Sequence, residues 1–370
     1  MKNKLVYIIL FLILSTTLLY GGKFTSSGSV AMNYINKDEI NYSTDTALYN
    51  FLLDIQYSFD DKNLIKVSTE VVTAKSVMTY RNDDVKYGNN ISAVIIEELL
   101  YKYNFNNTYS LSIGKFDFRT DNKEIFITPS ERKPYTSPIM INTVLDAVFL
   151  TYNNNDITLS AGIVSDDMLF NPFVYTENFD SDLPYSDTHG VIITGMWEAT
   201  KKLTLNLNIY YGEAHLMDDH DIVGGMYGMT TIYDDSINSG ITAYLYGAYS
   251  NLTTRRHLVG YSFLVGLNYN YDLPFINKES TIGLEVMSIQ NDYYSFNNGR
   301  FLSIYKSDKN GYMPNIYFEY VIRNYLSFKA MYSYLFADGY SYTPTSGTIR
   351  TNAKDVLDRK DVRAALIYKF

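Results

Sequence analysis

The feature that constrains this chain most is a two-residue alternation of apolar and polar side chains, renewed in segment after segment up to the last residue. In "VGYSFLVGLNYNYD", Val259, Tyr261, Phe263, Val265, Leu267, Tyr269 and Tyr271 alternate with Gly260, Ser262, Leu264, Gly266, Asn268 and Asn270. That period puts one row on each face of a strand, one face suited to an apolar medium and the other to water. The ending "DVRAALIYKF" keeps the pattern: Val362, Ala364, Leu366, Tyr368 and Phe370 share one face, and Asp361, Arg363, Ala365, Ile367 and Lys369 the other. A strand that runs to the terminus without fraying needs a partner on both edges.

Comparable segments begin at Ser27 to Asn36, Ala47 to Ser58 and Leu64 to Ala74 and recur along the chain. There are about sixteen of them, roughly ten residues long, which is the length of a strand that crosses a bilayer at a tilt. An even count leaves both ends of a barrel on one side. Short connections such as "FDDKN", "NFNNT" and "ATKK" take turns with longer ones such as "RTDNKEIFITPSERKPYTSPIMINT". The reading is a strict alternation of short turns at one rim and long loops at the other. In "ISAVIIEELLYKYNF", Glu97 falls out of phase, which predicts a bulge beside it.

A soluble sandwich also alternates, so further features decide. The polar rows are rich in Gly, Ser, Thr and Asn, as suits the inside of a wide barrel, whereas a sandwich would turn more Lys and Glu to bulk water. Tyr57, Tyr103, Tyr152, Tyr211 and Tyr271 sit near the ends of apolar rows, as interfacial aromatic girdles do. Closure also removes the edges that the terminal strand would otherwise expose. The expected fold is therefore all-β, a transmembrane antiparallel barrel of about sixteen strands.

The N-terminal "MKNKLVYIILFLILSTTLLYGG" orders a charged region, a short apolar run and small residues, so residues 1–22 read as a signal peptide and 23–370 as the barrel. With 0 Cys the exported chain has neither disulfides nor a lipid-attachment cysteine. The mean hydropathy of -0.15 and the lack of a second long apolar run argue against membrane helices. A formal net charge of -9 argues against nucleic acid as a partner.

The terminal "DVRAALIYKF" resembles the last strand of Gram-negative outer-membrane proteins. The hairpin "EELLYKYNF…YSLSIGKFDF" resembles the porin pattern of strand, tight turn and Gly-Lys strand end. "GLEVMSIQNDYYSFNNG" and "YFEYVIRNYLSFKAMYSYLFADGYSYT" are similar to a family of uncharacterised porin-like outer-membrane proteins. The resemblance implies short periplasmic turns, long extracellular loops, contact with lipid and lipopolysaccharide, and a homotrimer. It also implies recognition of Phe370, Tyr368 and Leu366 by the barrel-assembly machinery.

A barrel of this size has room for an aqueous channel. The expected function is passive diffusion of small hydrophilic solutes or ions, without cofactor or covalent step. In the porins it resembles, the loop after the fifth strand narrows the lumen. Here that loop is Arg119 to Thr143, carrying Arg119, Asp121, Lys123, Glu124, Glu131, Arg132 and Lys133 and stiffened by Pro129, Pro134 and Pro138. The wall charges expected in the lumen are Asp54, Lys66, Glu70, Glu98, Lys102, Lys115, Glu285, Glu319, Arg323, Lys329, Arg363 and Lys369.

The alternatives are a closed-lumen barrel with an adhesive or structural role and an outer-membrane enzyme. The enzyme would need a nucleophile and base, yet only His189, His215, His220 and His257 are present and no Gly-x-Ser-x-Gly elbow or His-Glu-x-x-His pair appears. "HLMDDHD" offers His215, Asp218, Asp219, His220 and Asp221, which reads as a solvated acidic loop rather than a metal site.

Overall fold

The computed structural model describes residues 22–39, 42–80, 86–117, 141–142, 144–165, 185–216, 220–253, 257–272, 279–289, 296–297, 309–340 and 359–370. Within them every regular element is a strand. In chain order these are β1 (Lys23–Glu39), β2 (Tyr42–Ser58), β3 (Asn63–Tyr80), β4 (Lys86–Asn104), β5 (Tyr109–Asp117), β6 (Ile141–Asn142), β7 (Val144–Asn154), β8 (Ile157–Ser165) and β9 (Tyr185–Thr200). There follow β10 (Leu203–Leu216), β11 (His220–Asp235), β12 (Ile241–Thr253), β13 (His257–Asp272), β14 (Glu279–Ile289), β15 (Phe296–Asn297), β16 (Lys309–Arg323), β17 (Leu326–Tyr340) and β18 (Arg359–Lys369).

All but β6 and β15 form one closed barrel of antiparallel neighbours, so the sixteen-strand count read from the alternation holds. The seam is β1 against β18, in register from Ser29 opposite Lys369 to Glu39 opposite Arg359. Below it, Gly28 and Phe370 exchange two backbone hydrogen bonds of 3.0 Å, donated by each N–H to the other's carbonyl. The Phe370 ring fills the space over Gly28 where a Cβ would stand, and stacks with Phe51 at 6.1 Å and Tyr368 at 6.4 Å. Phe370 is thus tied to the first strand through its backbone and its ring.

The two-residue period decides the faces. On β18, Asp361, Arg363, Ala365 and Ile367 are buried, while Val362, Leu366 and Tyr368 are exposed. Equivalent outward rows run around the barrel, through Met32 and Tyr34, Tyr49 and Phe51, Leu150, Ile163, Val191 and Ile193, Leu207 and Tyr211, and Val265, Leu267 and Tyr269. Of the tyrosines expected near row ends, Tyr211 is exposed, whereas Tyr57 is buried beneath Phe59, which meets it edge-on at 4.7 Å. The bulge predicted beside Glu97 is present: Ser68 pairs with Glu98 and Thr69 with Ile96, so the register skips Glu97.

Two expectations need correction. The strands are mostly longer than ten residues, reaching 19 in β4. Because they extend past the apolar belt, some connections at the loop rim shrink: β1 ends at Glu39 and β2 begins at Tyr42, while β10 ends at Leu216 and β11 begins at His220. Short and long connections therefore do not alternate strictly. Ladder hydrogen bonds satisfy the backbone of these extensions, so residues that read as loop continue the hairpins instead.

Candidate functional site

The inner wall is where the polar rows converge. On β1 to β3, the side chains of Asn33, Asn50 and Glu70 form a chain: Asn33 Nδ2 donates to Asn50 Oδ1 at 3.4 Å, and Asn50 Nδ2 donates to Glu70 Oε1 at 2.5 Å. One step toward the turns, Lys66 Nζ lies 2.6 Å from Glu98 Oε2. These residues meet because Ser68 and Glu98 are register partners and Lys66 and Leu100 follow two positions on. Further around, Lys329 pairs with Glu319 at 3.3 Å as its register partner, and Arg363 lies 3.5 Å from Asp361, two residues away on the same face. Glu285 stands inward on β14 and is almost wholly buried.

Of the wall charges expected from sequence, Lys66, Glu70, Glu98, Lys102, Glu285, Glu319, Lys329 and Arg363 fall on inward rows, and Arg323 is exposed beside the turn after β16. Lys115 is a correction. Counting by twos from the exposed Ile113 places it on the outward row, where its Nζ sits 3.2 Å from Asp146 Oδ1 with both side chains buried. It follows Gly114, whose φ of 139° only glycine adopts readily. A charge alone does not declare its face; here an ion pair, rather than the lumen, satisfies it. The loop charges Arg119, Lys123, Glu124, Glu131, Arg132 and Lys133 lie outside the described residues.

The end of that loop is described, and it does something the alternation gave no sign of. Ile141 and Asn142, as β6, pair in parallel with Phe296 and Asn297, as β15, which belong to the connection between β14 and β16. β6 leads into β7, and six barrel strands separate β5 and β7 from β14 and β16 whichever way round they are counted. Two segments rooted on opposite walls therefore meet in one short parallel pairing, and we call that pairing the strap.

The strap's roots divide the wall. From β8 to β13, inward positions away from the strand ends carry no charge; they include Thr194, Asn208, Tyr210, Met226, Thr230, Tyr244, Tyr246, Leu264 and Asn268, all buried. The ion pairs stand on the opposite arc and at its borders.

Of the histidines, His189 has a described side chain: its Nδ1 lies 2.9 Å from Ser165 Oγ on the outward side, with Glu213 its register partner on the next strand. His215 and Asp221 face each other in register on β10 and β11, while Asp218 and Asp219 lie outside the described residues. Among the described residues no three metal-ligating side chains gather.

No family model matches the chain, and no curated protein does. Solved structures match over nearly the whole length. A structure of Pseudomonas putida OprB at low pH is 12% identical, with a TM-score of 0.56, covering 96% of this chain and 95% of that one. A loop L8 deletion variant of OmpT, an outer membrane protein of Vibrio cholerae, is 11% identical at TM-score 0.53, covering 94% of this chain and 99% of that one. A trimer form of the same Vibrio cholerae OmpT is 12% identical at TM-score 0.52, covering 94% and 99%. The shared feature is the closed β-barrel.

Proposed function

We propose that this chain is an outer-membrane channel for passive diffusion of small hydrophilic solutes or ions, with the segment from Arg119 to Thr143 narrowing its lumen. The observation that carries the reading is the pairing of Ile141–Asn142 with Phe296–Asn297 in a barrel whose outward rows are apolar and inward rows polar. A continuous exposed apolar belt is unfavourable in water and fits a bilayer. Its strands satisfy their own backbone, as spanning a membrane requires. In this reading residues 1–22 direct export, the turns face the periplasm and the loops face outward. Phe370, Tyr368 and Leu366 present the assembly signal, and lipid, lipopolysaccharide and two further copies are the partners. No covalent chemistry is involved.

Single-channel recording of the refolded chain in planar bilayers tests this. Discrete conductance steps, with a reversal potential that reports ion preference, are expected; a folded barrel that stays silent at every salt concentration and voltage would overturn it. With no native cysteine, Asn142→Cys gives one labelling site on the strap. A bulky thiol reagent there is expected to lower the conductance, and unchanged current would remove the strap from the constriction.

One observation favours a second reading. Inward side chains are buried on nearly every described strand, including small ones such as Ser29, Ser160, Ser250 and Ser333. A wall covered that completely suits a closed lumen with a structural or adhesive role, for which a silent barrel is the expected result.

A further inference from the structure

The inner wall between β12 and β16 is shaped by two tyrosines that lie on glycines. Tyr244 on β12 is the register partner of Gly266 on β13, and Tyr317 on β16 is the partner of Gly283 on β14. In each pair the ring occupies the place where a Cβ on the glycine would stand, so a methyl group at either position would overlap ring atoms. The rings reach toward each other from β12 and β16, over the two strands between them, and their hydroxyls lie 3.4 Å apart. Tyr317 also donates to Asn268 Oδ1 on β13. Both rings are almost fully buried along the wall.

An inward tyrosine on a strand otherwise stands away from the sheet, because strand side chains leave it roughly perpendicularly. Here glycine's missing side chain lets the ring fold sideways, and the hydroxyl contacts hold it there. Tyr210 does the same over Gly190, and Phe149 over Gly162. The β12–β16 pair differs because two rings from opposite sides converge and tie four consecutive barrel strands.

We propose that Gly266 and Gly283 set the width of the lumen along this arc by keeping Tyr244 and Tyr317 flat. This inference rests on the channel reading and gives that channel a second, wall-borne determinant of size selection besides the strap. A Cβ at either glycine displaces the ring from the place it fills against the wall, and a strand side chain that cannot fold sideways stands roughly perpendicular to the sheet, toward the barrel axis. The lumen narrows by one aromatic ring per substitution, with no charge added or removed.

The experiment compares refolded wild type, Gly266→Ala, Gly283→Ala and each alanine combined with leucine at its tyrosine, Tyr244→Leu or Tyr317→Leu. Folding is confirmed for each by heat-modifiable gel mobility. Each alanine is expected to lower the single-channel conductance and the largest uncharged polyethylene glycol that enters, with the reversal potential unchanged. The matching leucine is expected to restore both, and it also accommodates the methyl group, so the double variants stay informative if an alanine alone impairs folding. Alanine barrels that conduct like wild type overturn the inference while leaving the channel intact, as does a loss that removing the ring fails to relieve. A silent wild type overturns the channel reading and this inference with it.

Discussion

The arc from β8 to β13 and the arc opposite it line the same barrel by different physics. On the first, neutral side chains fit by shape: Met226, Leu264 and the tyrosines pack, with glycines opened beneath the rings. On the second, charges are matched in place, Lys66 with Glu98 and Arg363 with Asp361, within 2.6 and 3.5 Å. A buried charge is tolerated only with a partner, whereas a buried tyrosine needs room for its ring and one hydrogen bond for its hydroxyl. The difference teaches that the wall's electrostatics are settled locally, strand against strand, so the net acidity of the chain does not describe the surface that a solute would meet. Ion preference, if the barrel conducts, should then respond to the charged arc and ignore the neutral one.

The sharpest break in that contrast is expected at Arg363. Arg363→Met leaves Asp361 buried beside an apolar side chain, and removing one partner of a buried pair costs about 3–5 kcal/mol. Urea unfolding of the refolded barrel measures it, and Asp361→Asn in the same chain should recover much of the loss. Next is Met226→Ala on the neutral arc, which opens a cavity at a cost of about 2–5 kcal/mol. Its reversal potential should equal that of wild type; a shift would abolish the distinction between the arcs. Glu98→Gln comes third: Lys66 is part-exposed, so stability should change by only about 0.2–1 kcal/mol, while ion preference moves toward anions.

The smallest effect is expected off the wall, in the turn between β2 and β3. There the Asn63 side chain and the backbone N–H groups of Lys62 and Asn63 donate to Asp60 and hold its carboxyl below the ordinary value. A lowered carboxyl stabilises fully above its unfolded value and loses that contribution as pH falls through the folded one. The protection factors of the Lys62 and Asn63 amides, corrected for intrinsic exchange, should therefore fall only in acid, below the usual Asp range, and Asp60→Asn should flatten the response. Protection already lost near neutrality would place its cause elsewhere.

How much of this was written in the sequence follows from how local each signal is. Alternation is a property of neighbouring residues, so the strands, their faces and even the slip at Glu97 could be read, and with the faces came the inward placement of Lys66, Glu98, Lys329 and Arg363. Register is a relation between distant segments. Nothing near Lys66 announces Glu98, and nothing near Tyr317 announces that Gly283 will lie under it. Lys115 shows the hazard of letting charge overrule period, since its row was already fixed by Ile113. The pairing that makes the strap left no trace in the alternation, because two residues in parallel pairing have no period at all.

The seam between β1 and β18 also has a consequence for the order of folding. Its two strands are more distant in sequence than any other neighbouring pair in the barrel, so their meeting carries the largest loop-closure cost and is favoured only after the strands between them have lined up. Until then the sheet keeps two raw edges, and closure hides both in one step.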